Sequence, residues 1–419
     1  MGDPNDLDNL FHSIFGSPPH GGHIPDINKR RVAHGSAARF LTTRPMRKNT
    51  LAILTNARAA DQRSMIGYGE MVLEAARQTE YKVIELRASS LLGGLLPERV
   101  TGIPRKLANN IDRFVFTPLI LAFRRADVVH VVDPGNIVYL PLIRHRRSIV
   151  TVHDMIPYLA RDGKLPGWRP TRTGRWLMER ILMQLAKVDQ IICVSQATKR
   201  DLLAYVNIPE DRVSIILNAV FQPMQPAMPE ACSALRARLG LPSEAPLILH
   251  VGRNFYKNRE VVLEVAATVR CKRPEVHLVT VGSLTPTLEV KAEALELTGV
   301  LHVLPQVDRA DMAALYTTAA VLLFPSLYEG FGLPVLEAQM CGTPVVCSDR
   351  GSLPEVADRE TYVVDIEEPS NLTAVVLRSL ALCSNGCSTE MYHDNDRFSA
   401  SSWRFSMFKF YRFNFARVV

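Results

Sequence analysis

The chain has 419 residues, of which 47% are hydrophobic and 22% charged, with a net charge of +7 and a pI near 9.1. These are the values of a soluble globular protein, too long for one typical core and suited to two α/β domains. No run approaches the roughly 18 apolar residues of a spanning helix, the longest candidate, 114–123, is short and interrupted by Pro118, and no nucleic-acid signature is present.

Residues 1–48 mix Pro, Gly, His and basic pairs without a sustained period, the pattern of a mobile tail. The start is acidic and lacks an apolar stretch, so no signal peptide is expected. His12, His20, His23 and His34 have no Cys or carboxylate partners at metal-ligand spacing, and a solvated tail accounts for them. A first α/β domain is expected over 49–222. It opens with the strand LAILT and a helix near 65–79, in which Gly67 and Gly69 stand astride Tyr68. The strand YKVIEL, a helix over 104–123 and the strands ADVVHVVD and SIVTVHD follow. His153 and Asp154 end the last of these, at the edge where open parallel sheets place their ligands. A basic helix over 171–187 carries Arg172, Arg175 and Arg180, and Ser195 suits the cap of the helix from Gln196.

Residues 223–245, rich in Pro and Ala, are expected to be a hinge with a short helix, and 246–392 a second α/β domain. Its first strand, LILHVG, runs into the loop GRNFYKN, which begins at Gly252 and sets Arg253 and Lys257 four residues apart before a helix. Two cations at a strand end suit a diphosphate, Arg through its planar fork and Lys as a point charge. Further on, FPSLYEGFGLPVLEAQMCGTPVVCSD from Phe324 to Asp349 spells strand, Gly-bearing turn, helix and strand. Pro334 belongs in the first turn of that helix, where its missing N–H is not needed. The amides of Phe331, Gly332 and Leu333 then sit at a helix start, which favours an anion or polar oxygen. Glu329 on the loop and Glu337 in the helix have seven residues between them. A rise of ~11–12 Å over such an interval lets them grip two ends of one ligand rather than act as a close pair.

Seven cysteines lie scattered without a CxxC or metal-ligand pattern, which suits reduced thiols in a cytosolic protein. The last segment, 393–419, is dense in aromatics with Arg and Lys. It suits a helix docked back on the first domain, or a basic aromatic segment lying on a membrane. The positive balance of the chain favours an anionic ligand or an acidic surface, so peripheral contact with an anionic membrane is compatible with it.

The stretch from Phe324 closely resembles the signature of the retaining, nucleotide-sugar-dependent glycosyltransferase family 4, with two glutamates spaced E-x7-E. TVHDMIPY resembles the TxHDxxP segment of a mannosyltransferase-like branch of it, and Ser402-Trp403 to Tyr411 resembles the closing helix. A His-Asp pair alone is more often structural; the flanking resemblance turns His153 and Asp154 into site residues. The resemblance implies a GT-B architecture, two Rossmann-like domains facing each other across a cleft. It implies that Glu337 binds the ribose hydroxyls and that Glu329 with the amides of Phe331, Gly332 and Leu333 meets the donor sugar. Gly252, Arg253 and Lys257 would serve the donor diphosphate, and His153 and Asp154 the sugar. The donor would be a nucleotide diphosphate sugar, the acceptor a glycan or a lipid-linked hydroxyl, and neither metal nor further cofactor is implied. A catalytically silent scaffold that keeps the fold is the alternative. Against it, both cations and both glutamates are present together. A nucleotide-sugar epimerase is disfavoured by the same motifs.

Overall fold

The computed structural model describes residues 49–57, 63–97, 100, 103–220, 222, 224–384 and 396–415. The expected tail over 1–48 and the polar stretch at 385–395 lie outside the described residues.

Two six-stranded sheets, every pairing parallel, organise the chain. The first has β1 (Thr50–Thr55), β2 (Lys82–Arg87), β3 (Val128–Val131), β4 (Arg147–Val152), β5 (Gln190–Cys193) and β6 (Val213–Ile215) in the order β2-β1-β3-β4-β5-β6. The second has β7 (Leu247–Val251), β8 (His277–Val281), β9 (Leu301–Leu304), β10 (Val321–Phe324), β11 (Val345–Ser348) and β12 (Tyr362–Val364) in the order β12-β11-β10-β7-β8-β9. Central strands such as Leu51–Leu54 and Val321–Phe324 are apolar at successive positions because helices cover both faces. In each sheet the strand order reverses once, between β1 and β3 and between β7 and β10. Loops leaving neighbouring strands diverge at such points and leave a crevice at their C-terminal ends.

The helices used below are α1 (Arg63–Arg77), α2 (Leu91–Leu95), α3 (Ile103–Ile111), α4 (Thr117–Leu121), α5 (Ile156–Arg161), α6 (Arg172–Leu185), α7 (Gln196–Tyr205), α8 (Pro229–Arg238), α9 (Arg259–Arg270), α10 (Pro286–Ala294), α11 (Arg309–Thr318), α12 (Leu333–Met340), α13 (Leu353–Val356), α14 (Pro369–Ser384) and α15 (Ala400–Phe415). The helix expected over 104–123 is not regular: a π-helical stretch, Asp112–Phe116, joins α3 to α4. Such stretches are frequent at functional sites.

Helix α15 packs on α1 of the first sheet. Trp403, Met407, Phe410 and Tyr411 recur at helical spacing and are buried with Tyr68, Met71, Val72 and Ala75. The aromatic density of this segment is therefore divided, with one face docked and Phe405 and Phe413 outward. Among the described residues no helix is long and apolar enough to cross a membrane.

Candidate functional site

The crevice between β7 and β10 is built from two loops. After β7 the chain turns through Gly252, whose φ is 128°. A Cβ there would stand 2.8 Å from Cε of Lys257, so the lysine stem occupies the space a side chain would need. A 3-10 turn, Phe255–Lys257, follows, and Asn258 enters α9 in the left-handed region at φ 54°, a conformation Asn tolerates better than most residues. Buried Arg259 holds the loop from behind, donating to the carbonyls of Ser283 at 2.6 Å and of Arg253 at 2.9 Å. The side chain of Arg253 is left exposed at the strand end.

Lys257 points inward. Its Nζ donates to Oε1 of Glu329 at 2.7 Å and lies 4.4 Å from the centroid of the Phe324 ring. Carboxylate and aromatic face together offset the cost of burying the ammonium. An ammonium has three donors, so this bond leaves capacity for another oxygen. His250, at the end of the same strand, donates from Nδ1 to the Leu323 carbonyl at 3.0 Å. Burial pushes its pKa down to about 4, and Lys257 and Arg259 add to that, so it stays neutral.

The second loop leaves β10 and is clamped throughout. The Tyr328 hydroxyl donates to the Asp201 carboxylate. The Ser352 amide and hydroxyl both donate to the Glu329 carbonyl at 3.1 Å. Gly330 lies against the end of β4: a Cβ there would come within 2.0 Å of the His153 carbonyl oxygen. The Gly330 carbonyl accepts from Ser195 Oγ at 2.8 Å, while the same Oγ accepts the Thr198 amide at 3.0 Å as the cap of α7. Gly332, at φ 100°, starts α12. Among the described residues the amides of Phe331, Gly332 and Leu333 have no acceptor, at the end of a helix where its dipole favours negative charge. One helical turn on, Glu337 accepts from the Tyr316 hydroxyl at 3.0 Å, and burial raises its pKa.

From the first sheet, His153 Nε2 donates to the Val132 carbonyl at 2.8 Å, which leaves Nδ1 as an acceptor while the ring is neutral. Burial lowers its pKa and keeps it so. The Tyr68 ring meets His153 edge-on at 4.6 Å and Trp403 meets Tyr68 at 5.7 Å, so the docked C-terminal helix fixes the imidazole. Asp154 accepts the Ile156 amide at 3.0 Å. Burial pushes its carboxyl up to about 6, and Glu329 and Asp133 add to the shift.

The structure thus brings His153, Asp154, Lys257, Glu329 and Gly330 together where the two sheets meet. Gly252 lies beneath Lys257, Arg253 at the adjoining strand end, and Glu337 one turn into α12. Three residues contribute through contacts that no motif in the sequence shows. Arg259 fixes the cationic loop. Ser195 ties α7 to Gly330 in addition to capping. Glu355 accepts the amides of Gln196 at 2.8 Å and Ala197 at 2.7 Å, capping a helix of the other half. At the β1/β3 reversal a second cavity of about 440 Å³ is lined by Asn56, Ser89, Asn109, Asp112, Arg113 and Asp133 among others. Asn56 donates to Asp133 at 2.6 Å and Asn136 to Asn56 at 2.9 Å, leaving a wall of hydrogen-bonding groups on separate segments.

Residues 70–220 match the family model described as Glycosyltransferase Family 4, and residues 233–383 the model described as Glycosyl transferases group 1. The O-antigen chain mannosyltransferase B of Escherichia coli is 28% identical over 247 residues, 58% of this chain and 63% of that protein. A D-inositol 3-phosphate glycosyltransferase of Xylanimonas cellulosilytica is 35% identical over 243 residues, 54% of this chain and 57% of that one. The matched stretches therefore span less than two thirds of either relative's own length. Among solved structures, the sucrose-phosphate synthase of Thermosynechococcus elongatus superposes with a TM-score of 0.67, covering 88% of this chain and 100% of that one at 19% identity, a likeness of fold alone.

Proposed function

The chain belongs to the family 4 glycosyltransferases of GT-B fold, and from that premise we propose that it moves a hexose from a nucleoside diphosphate sugar to an acceptor hydroxyl with retention of configuration. The observation that carries this reading is the meeting of the Lys257–Glu329 pair with the His153–Asp154 strand end across Gly330. In this reading Arg253 and Lys257 face the diphosphate and stabilise the charge that develops as the bond between the sugar C1 and the phosphate oxygen breaks. Losing one such contact commonly costs ~10²–10³ in rate. The amides of Phe331, Gly332 and Leu333 and the Nδ1 acceptor of His153 orient the sugar, and Glu337 accepts from the ribose hydroxyls. The acceptor oxygen bonds to C1 from the face the diphosphate leaves, and its proton passes to the departing phosphate oxygen. Positive charge comes from the two side chains, so no metal ion is required by this mechanism. The relatives' names put a mannose-bearing donor and an inositol phosphate or glycan acceptor first among those to try.

The test is to incubate the protein with a panel of nucleoside diphosphate sugars and detect the diphosphate released. Release is expected with at least one donor, and Arg253→Ala should lower it at least tenfold in a variant that circular dichroism shows to be folded. A protein that binds a nucleoside diphosphate yet releases none from any donor is a silent binding subunit, and the catalytic reading is then wrong.

A further inference from the structure

Residues 162–171 join α5 to α6 in the first domain, yet part of this connector packs on the second. Gly163, at φ 77°, ends α5 in the left-handed region. Its amide donates to the Ala160 carbonyl at 3.1 Å, and the Lys164 amide to the Leu159 carbonyl at 2.9 Å, the bond pair that closes a helix around such a glycine. Leu165 then turns inward and is buried with Ile156, Leu159 and Ala160 of α5 and with Tyr328, the residue before Glu329. The chain next lies against Phe255. Gly167 is at φ 94°, and a Cβ there would stand 3.4 Å from Cδ2 of that ring. Trp168 completes the contact: its ring stacks on Phe255 with centroids 6.4 Å apart and planes 15° from parallel, a separation at which offset aromatic pairs attract.

The identity of the partner ring gives this stack its significance. Phe255 opens the 3-10 turn, Phe255–Lys257, that lies between Arg253 and the end of the cationic loop. It meets Tyr256 edge-on at 5.5 Å, and the Tyr256 ring centroid is 5.4 Å from Nζ of Lys257. Within its own domain the turn is held at Tyr256. The Leu327 amide donates to the Tyr256 carbonyl at 2.7 Å, and Nδ2 of Asn254 donates to the Tyr256 hydroxyl at 2.8 Å. The Phe255 ring is held from the opposite domain, by Trp168 and the backbone at Gly167. Two cations that serve one ligand must keep their geometry to within ~0.5 Å, which takes packing around the residues that carry them. An aromatic pair placed between them supplies such packing.

We propose that Trp168 is a positioning residue for the donor diphosphate: stacked on Phe255 from the first domain, it sets the turn that presents Arg253 and Lys257. The assignment of a diphosphate to those cations rests on the glycosyl-transfer reading. Helix α5 begins two residues after Asp154, so the connector that carries Trp168 is continuous with the strand end that faces the sugar. One stretch, from His153 to Trp168, thereby places both the sugar-facing pair and the support of the diphosphate loop.

The test is calorimetric titration of ADP, GDP, UDP and TDP into the full chain, beside the release assay. Trp168→Ala should weaken whichever diphosphate the wild type binds by about fivefold, the worth of one aromatic pair. It should lower kcat for release by at least as much, because the cations act most strongly on charge that develops in the transition state. Trp168→Phe keeps a stacking ring and should stay within about twofold of wild type. Phe255→Ala should show the loss from the other side of the contact, and in that background Trp168→Ala should add nothing. Trp176→Ala, an exposed tryptophan on α6, should alter neither affinity nor kcat. Circular dichroism establishes that each variant folds. A Trp168→Ala protein that melts lower but binds and releases diphosphate as the wild type does has lost ordinary packing only, and the proposal is then wrong. Equal losses in Trp168→Phe, or a further loss in the Phe255→Ala background, overturn it as well. A wild type that binds none of these diphosphates sinks the diphosphate reading and the positioning role together. If the wild type binds one but releases none, the catalytic reading fails alone, and the affinity of Trp168→Ala still decides the positioning role.

Discussion

Replacing Lys257 by Met, Glu329 by Gln, and then both, isolates the buried pair. Its atoms are 2.7 Å apart and the two side chains are only 10% and 8% exposed. Removing one partner from such a pair leaves an uncompensated buried charge and costs about 3–5 kcal/mol. The two singles are not equivalent. Glu329→Gln leaves the ammonium an amide oxygen and the Phe324 ring, whereas Lys257→Met leaves Glu329 facing Asp154 with the local cation gone. Lys257→Met should therefore be the worse variant, and its deficit should be larger at pH 8 than at pH 5.5, where the Asp154 carboxyl holds its proton and no longer repels Glu329. In the double variant both desolvation costs disappear, so its loss should be smaller than the sum of the singles by far more than the 0.3–0.5 kcal/mol tolerance of additive sites. Urea transitions followed by far-ultraviolet circular dichroism on all four proteins give the cycle. Singles that cost under ~1 kcal/mol, or effects that simply add, would refute the picture of a mutually dependent buried pair.

The carboxyl of Asp154 has a pKa of about 6 in the fold against roughly 3.9 unfolded, so the folded state holds the proton more tightly. Its stabilising contribution is complete below the unfolded value and is lost as pH rises through about 6. Asp154→Asn escapes that loss, and its melting temperature relative to wild type should rise between pH 4 and pH 7.5; a difference that stays flat with pH would contradict it. Glu355→Ala removes the carboxylate on the Gln196 and Ala197 amides, which should cost about 1 kcal/mol as a lost cap. Because the cap comes from the other half of the chain, hydrogen exchange should also quicken at the start of α7 and around Gly330. Unaltered exchange at both places would show that Glu355 does not tie the halves.

Much of the architecture follows from local pattern. Apolar runs such as LAIL, LILHV and VLLF, spaced by helical stretches, specify buried parallel strands, because only strands covered on both faces are apolar at every position. Cations after one strand and a Gly-bearing turn before Pro334 are likewise visible as strings, because a strand end and a helix start are set by a few neighbouring residues.

What those groups touch was decided by topology. Lys257 and Glu329 are far apart in sequence and meet because the crossover places β10 beside β7. Gly330 lies against His153 because loops from two different sheets converge, and no residue near either position encodes that approach. The cavity at the β1/β3 reversal draws its wall from separate segments and so leaves no motif. An apolar stripe at helical spacing, Leu107, Val115, Leu119 and Phe123, is the clearest case. Helical period shows by itself that an apolar face exists, but a stripe has no sign: only the packing of Asp112 and Thr117 inward, with Phe114 and Leu119 left outside, decides which way it points.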